Sequence, residues 1–271
     1  MPTLEQHRVA PRHLADHLLA YGRPIVSLSE VAELTGLAPK AAADALVRLR
    51  RDGLMFSPSR GLYVAVPAQY RTWGAVPALD FIDPMMGALG RRYYVALLSA
   101  AELYGAAHQR PQVFQAMVDR PVEDRDFGRV RLRFYTRRHL PDVPTVWRNT
   151  STGRARVSSP AATALDLATR PRDAGGLSNA ATVLAELVQE TGLDTADFRQ
   201  AAAAYPRASL RRLGWLLDFV SADVDTDALA DELRADDGRR PTVLLDPGGH
   251  RRGHGNLRWG VVENAGVEAD L

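Results

Sequence analysis

Apolar side chains recur at Leu14, Leu18 and Tyr21, the i, i+4, i+7 stripe of an amphipathic helix. Gly22 and the Arg23-Pro24 pair end it. Ile25-Val26 suits a very short strand. Ser27, three residues before Glu30, forms a capping box for a second helix, from which Val31 and Leu34 face inward. Thr35-Gly36 breaks that helix, with Leu37 expected buried in the turn. Pro39 then opens a third helix, because a missing N–H costs nothing at the first helical position. Ala42, Leu46 and Leu49 share one face of it, and Gly53 stops it. After it, LMFSPSRGLYVAV reads as two strands around a turn at Ser57 to Gly61, with Leu54, Phe56, Leu62, Val64 and Val66 apolar.

Residues 67–79 hold Pro67, Gly74 and Pro77 and read as a linker or crossing segment. Beyond them RRYYVALL predicts a strand or turn entering a helix, and Val113 to Val118 a strand. RVRLRFY is the clearest strand: Val130, Leu132 and Phe134 alternate with Arg129, Arg131, Arg133 and Tyr135. Val143–Trp147 and Arg154–Val157 continue the sheet, and a helix starts at Pro160. Three more helices follow in LSNAATVLAELVQET, TADFRQAAAAY and SLRRLGWLLDFV. The fold class is α+β: an N-terminal winged helix-turn-helix (1–66), a linker (67–79) and a larger α+β domain (80–271) with a mixed sheet and C-terminal helices.

At 271 residues the chain suits two domains, and 46% hydrophobic with 24% charged side chains excludes wholesale disorder. The absence of cysteine excludes a disulfide framework, a thiolate metal site and a cysteine nucleophile. The start of the chain lacks the apolar run of a signal peptide, and no stretch is long enough for a membrane span, so a cytoplasmic location away from any membrane is expected. Lys40 is the single lysine among 34 basic residues, an arginine bias that coding composition alone can produce. The net charge of +2 is uneven. Residues 1–66 carry 8 basic and 6 acidic side chains, residues 67–216 carry 20 and 14, and residues 217–271 carry 6 and 12. A basic body points to an anionic partner.

The order helix, turn, helix, wing suits DNA reading, with the third helix in the major groove and the wing along the backbone. Small alanines, including Ala41, let that helix approach base edges. Lys40, Arg48 and Arg51 can meet phosphates or guanine, and Asp44 can accept from a cytosine amino group. Arg60 at the wing tip, between Ser57 and Ser59, reaches the backbone. A structural role remains for the same residues, since Arg48 and Arg51 also suit a helix C-terminus. The row Arg129, Arg131, Arg133 either tracks phosphates, or is a solvated face, or meets an acidic partner such as the segment 223–237 of the same or another chain.

Other chemistry is weaker. His250 and His254 in DPGGHRRGHGN have a ligand-like spacing, but four glycines favour a flexible basic loop between the strands TVLLD and LRWGVV. Ser158-Ser159-Pro160 lacks a nucleophile elbow and suits a helix cap, and Asp166 suits a partly buried, paired carboxylate. Asp80 and Asp83 suit turn capping, Tyr93-Tyr94 the core, and Gly175-Gly176 a turn. No catalytic, metal or cofactor residue is expected. A protein-interaction factor whose winged helix does not read sequence is the alternative. A nuclease is disfavoured by the lack of clustered acidic and lysine ligands.

From about residue 10 to 262 the chain resembles the AbiEi-type antitoxins of bacterial type IV toxin–antitoxin systems. The resemblance rests on the order of VSLSEVAELTGL, RGLYVAVP, YYVALLSAAELYGAAHQRPQVFQAMV, RVRLRFYTRR, RVSSPAATALDLATRP, GGLSNAATVL, LRRLGWLLDFV and RWGVVEN. It implies a transcriptional autorepressor that binds inverted repeats in its own promoter; two half-sites then require two protomers, dimerised in solution or assembled on the DNA. It also implies a second domain that opposes, directly or indirectly, a partner toxin of nucleotidyltransferase fold. On this sequence the DNA-reading positions become Lys40, Ala41, Asp44, Arg48, Ser59 and Arg60. Ala38 departs from the polar residue often found before such a helix.

Overall fold

The computed structural model describes residues 8–106, 112–234 and 242–270. The first unit runs α1 (Leu14–Ala20), β1 (Ile25–Ser27), α2 (Leu28–Thr35), α3 (Pro39–Arg51), β2 (Met55–Ser59) and β3 (Leu62–Ala65). The strands form an antiparallel sheet in the order β1-β3-β2. The capping box is present: Ser27 N–H donates to Glu30 Oε2 at 2.7 Å, and Glu30 N–H donates back to Ser27 Oγ. Gly36 ends α2 at φ 68°, a left-handed conformation that costs glycine little. Leu14, Leu18, Val31, Leu46, Leu49 and Met55 close the core between helices and sheet. Each fully buried Leu contributes about 1.5–3 kcal/mol. Tyr21 departs from the expected stripe: α1 ends at Ala20, and Tyr21 is exposed, with its ring 4.6 Å from that of His17. Leu34 and Leu37 are only partly buried against this core.

Residues 67–79 are a packed crossing, unlike a free linker. Ala68–Trp73 and Ala78–Asp80 form 3-10 turns, and Ala75, Val76 and Ala78 are buried. The chain then forms α4 (Ile82–Leu89), β4 (Tyr93–Val95), α5 (Leu97–Leu103), β5 (Phe114–Val118), β6 (Arg125–Phe127), β7 (Val130–Thr136), β8 (Thr145–Thr150) and β9 (Gly153–Ser158). The six strands make one mixed sheet in the order β6-β7-β5-β4-β9-β8. Val157, Val95, Ala116 and Phe134 stand in one row across it. That face packs on α4 and on the β2–β3 hairpin, where Phe56, Leu62 and Val64 join Phe81, Ile82, Met85 and Met86. The Phe56 and Phe81 rings meet edge-on at 5.2 Å. The β2–β3 hairpin is thus held by the six-stranded sheet and α4 as well as by its own helices. Helix α4 and strand β6 were not foreseen. Pro84 and Gly87 interrupt the apolar run of α4, β6 has a single apolar side chain, and the burial of both comes from distant partners.

The helices α6 (Pro160–Thr169), α7 (Leu177–Thr191), α8 (Thr195–Ala202), α9 (Arg207–Phe219) and α10 (Asp227–Arg234) bury the largest cluster, with Leu165, Leu184, Leu213 and Trp259 inside. A small sheet of β10 (Val243–Leu244), β11 (His254–Asn256) and β12 (Val261–Glu263) packs on α9 in the order β10-β12-β11. This corrects the expected strand LRWGVV: Leu257 to Gly260 is a turn, and the strand begins at Val261. It also corrects the flexible basic loop. Buried Asn264 donates to the carbonyls of Asp246 and His250 and accepts from Asp246 N–H, and residues 254–256 are a strand. Among the described residues no helix is long and apolar enough to cross a membrane.

Candidate nucleic-acid interface

Helix α3 owes its orientation to its core face. Ala42, Ala45, Leu46 and Leu49 are buried, which turns Lys40, Asp44 and Arg51 outward on one stripe, with Arg48 beside them and Ala41 half-buried on the flank. Pro39 opens the helix, and Ala38 supplies no side-chain cap. Arg51 pairs with exposed Asp52 at 3.1 Å, a contact of little energetic weight. Lys40 and Arg48 are exposed, and no ion pair links either to another described residue.

One residue on this face was not foreseen. Val47 is 62% exposed and sits between Asp44 and Arg51 on the outward stripe. A β-branched apolar side chain there gains nothing from burial and costs some helix propensity. The signal was its spacing, seven residues from Lys40 and four from Arg51, which places an apolar side chain in a polar stripe.

In the turn between β2 and β3, Arg60 is exposed at the tip beside Gly61, whose φ is 79°. Ser57 Oγ donates to Ser59 O at 2.8 Å. Ser59 is a correction. The register shifts between Phe56 and Ser59, turning the Ser59 side chain inward, where it is 7% exposed and its buried hydroxyl has no partner. It cannot meet a backbone phosphate from there.

The three arginines of the β7 row are not equivalent. Arg133 binds Asp126 at 2.8 Å and Asp124 at 3.4 Å, so its fork is committed within the chain. Arg129 lies just before the strand, and its N–H donates to Trp73 O at 3.1 Å. Arg129 and Arg131 are exposed and line a cleft of about 540 Å³ together with Trp73, Asp80 and Glu102. The neighbouring groove, about 460 Å³, is lined by Val47, Arg50, Arg51, Phe56 and Gly74. Trp73 and Gly74 are adjacent, so the crossing segment joins the end of α3 to Arg129. Gly128 makes this approach possible. A Cβ there would lie 2.0 Å from Trp73 O. No local pattern along the chain brings these stretches together.

The remaining candidates are structural. Ser159 Oγ caps α6 by accepting from Ala162 N–H, and buried Ser158 Oγ lies 2.7 Å from Thr163 Oγ1. Asp83 accepts from Tyr93 OH, and Asp80 from Ser151 N–H. Asp166, expected partly buried, is fully buried. Its Oδ1 accepts from Arg137 at 3.1 Å, from Tyr205 OH at 2.9 Å and from Tyr94 OH at 3.3 Å. Burial pushes its carboxyl up to about 6, against the opposing pull of Arg137 and the two phenols. Arg137 also lies 4.0 Å over the Tyr205 ring and donates to Ala204 O. The cluster ties the sheet to α6. No group of three or more His, Cys, Asp or Glu gathers as metal ligands among the described residues.

Residues 94–219 match the family model of the AbiEi antitoxin C-terminal domain. The crystal structure of RV2827C protein from Mycobacterium tuberculosis superposes with a TM-score of 0.64, covering 95% of this chain and 93% of that one at 16% identity, a likeness of fold. An antigenic nucleotidyltransferase-like protein from Paracoccidioides brasiliensis aligns over 54% of this chain and 92% of its own, at 10% identity and a TM-score of 0.33, too low for a shared fold. No curated protein matches the sequence.

Proposed function

We propose, from the match of residues 94–219 to the AbiEi antitoxin C-terminal domain model, that the chain is an antitoxin that also represses its own promoter. The first unit works as a winged helix-turn-helix. Helix α3 enters the major groove, and the wing tip at Arg60 follows the backbone. The observation that carries the reading is the outward stripe of α3, with exposed Lys40, Asp44, Val47, Arg48 and Arg51 over a fully apolar inner face. Arg129 and Arg131, joined to the end of α3 through Trp73-Gly74, extend the cationic surface toward flanking phosphates. Inverted repeats in the promoter take two protomers. The sheet domain opposes a toxin of nucleotidyltransferase fold, a type IV arrangement in the cytoplasm that needs no catalysis by this chain.

The test has two parts. Purified protein is titrated against the DNA upstream of its own gene and against scrambled DNA. Specific binding supports repression, and equal weak binding to both removes it in favour of an interaction factor that does not read sequence. Co-expression with the toxin encoded beside it then reads antagonism as restored growth.

A further inference from the structure

The two edges of the six-stranded sheet are finished differently. At one, β6 has three residues, and the arginines around it are matched by acids: Arg133 by Asp124 and Asp126, and Arg125 by Glu123. Short, charge-matched edges resist pairing with another chain. At the other edge, β8 has six residues, and its four central ones are all exposed. Val146 and Trp147 point to opposite faces of the strand, 38% and 43% exposed. The guanidinia of Arg154 and Arg156 lie 4.2 and 4.8 Å over the Trp147 ring, and that of Arg148 lies 4.7 Å over Tyr104. No ion pair joins these three arginines to a carboxylate among the described residues. Stacking fixes the guanidinium planes and leaves N–H edges for an anion.

A complementary surface lies on the same chain. Between α9 and α10, Asp223, Asp225 and Asp227 alternate with half-buried Val224 and Thr226, so the three carboxylates are exposed. Asp227 is held by Arg258 at 2.6 Å, and no ion pair joins Asp223 or Asp225 to a described residue. Four residues before Asp223, Phe219 is 40% exposed and stacks on Trp215 at 5.2 Å. Each surface therefore pairs an exposed aromatic ring with charge of one sign. Residues 235–237 of the acidic run lie outside the described residues.

We infer that the β8–β9 ribbon of one protomer docks on the Phe219–Asp225 surface of a second copy of this chain, and that the contact is made twice in a two-fold dimer. Reciprocal contacts of one patch with another are what two-fold symmetry demands. Pairing β8 with β8 is disfavoured, because it would bring Arg148, Arg154 and Arg156 against their own copies. Trp147 and Phe219 supply the apolar anchors that charge alone lacks. The inference stands apart from the DNA reading, and supplies the second protomer that reading needs.

Sedimentation velocity on the full chain tests it, beginning at low salt. Wild type is expected to dimerise, with at least about tenfold weaker association once the salt shortens the Debye length to ~3 Å. Arg154→Glu/Arg156→Glu and Asp223→Arg/Asp225→Arg are each expected to be monomeric, since each sets like charges against one another. An equimolar mixture of the two variants restores both contacts with reversed sign at one of them, so it is expected to form a mixed dimer. That rescue also excludes misfolding as the cause of either loss. A wild-type monomer at all concentrations overturns the inference, and so does a dimer that ignores both reversals. Loss of promoter binding in Arg154→Glu/Arg156→Glu with no change in association overturns it in favour of a phosphate-binding ribbon.

Discussion

Arginine is used in two ways in this protein: α3 shows it exposed to solvent, and the aspartates packed around the six-stranded sheet show it clamped. On α3 and in the β2–β3 turn, Arg48 and Arg60 stand in solvent, and no ion pair joins either to another described residue. In the sheet domain, Arg133 is clamped by two aspartates, Arg137 is buried against Asp166, and Arg170 binds Asp173 at 2.7 Å. In a chain with one lysine and 33 arginines, the residue type therefore marks no function. What distinguishes a binding arginine from a structural one is whether the chain already supplies its anion.

The sharpest way to break that division is to remove one arginine of each kind. Arg137→Ala leaves Asp166 buried and uncompensated, and is expected to cost about 3–5 kcal/mol of stability, read by urea unfolding. An unfolding midpoint equal to wild type would make Arg137 a surface residue in all but position. Lys40→Ala/Arg48→Ala is expected to cost about 1–3 kcal/mol in promoter affinity per lost base contact, with stability within about 0.5 kcal/mol of wild type.

The buried pair also predicts a pH dependence that no exposed arginine can give. The folded-state pKa of Asp166 is raised to about 6 from its ordinary 3.8, so the folded protein binds this proton more tightly than the unfolded chain. The contribution of this group to stability therefore rises as pH falls from about 6 to about 4, and is flat above 6. At about 1.4 kcal/mol per unit, the gain is on the order of 1–3 kcal/mol. Asp166→Asn is expected to flatten that window in denaturant titrations, and an unchanged slope would assign the dependence elsewhere. The smallest effect separates neighbours on β7. Arg131→Glu is expected to weaken promoter binding several-fold and to lower the salt slope by about 1. Arg133→Ala, whose fork is already occupied, is expected to alter the slope less.

Most of the first unit was legible because its signals are local: the Ser27/Glu30 box, Gly36, Pro39 and the 42-46-49 stripe each need only a few neighbours. Strand β7 was legible by alternation, and the stretches of β5 and β9 were read as strands beside it. The rest needed contacts far apart in sequence. Ser59 turns inward at a shift of register, which no local pattern records. The crossing segment looked like a linker because Pro67, Gly74 and Pro77 punctuate it, yet Ala75 and Val76 are buried by the β2–β3 hairpin and the six-stranded sheet together. Trp147 and Val146 read as ordinary strand residues, and their exposure follows from β8 lying at the end of the strand order. In the candidate site, the residues of α3 were legible from the helix face. The approach of Arg129 to α3 through Trp73-Gly74 was not.

The central claim is that α3 reads the promoter, and one titration tests it most directly. Binding to the upstream DNA is measured across salt for wild type and for Lys40→Ala/Arg48→Ala. The account predicts specific binding by wild type that weakens steeply with salt, and a variant that stays folded, loses the preference over scrambled DNA and has a shallower slope. Equal affinity and slope for the two proteins would contradict it.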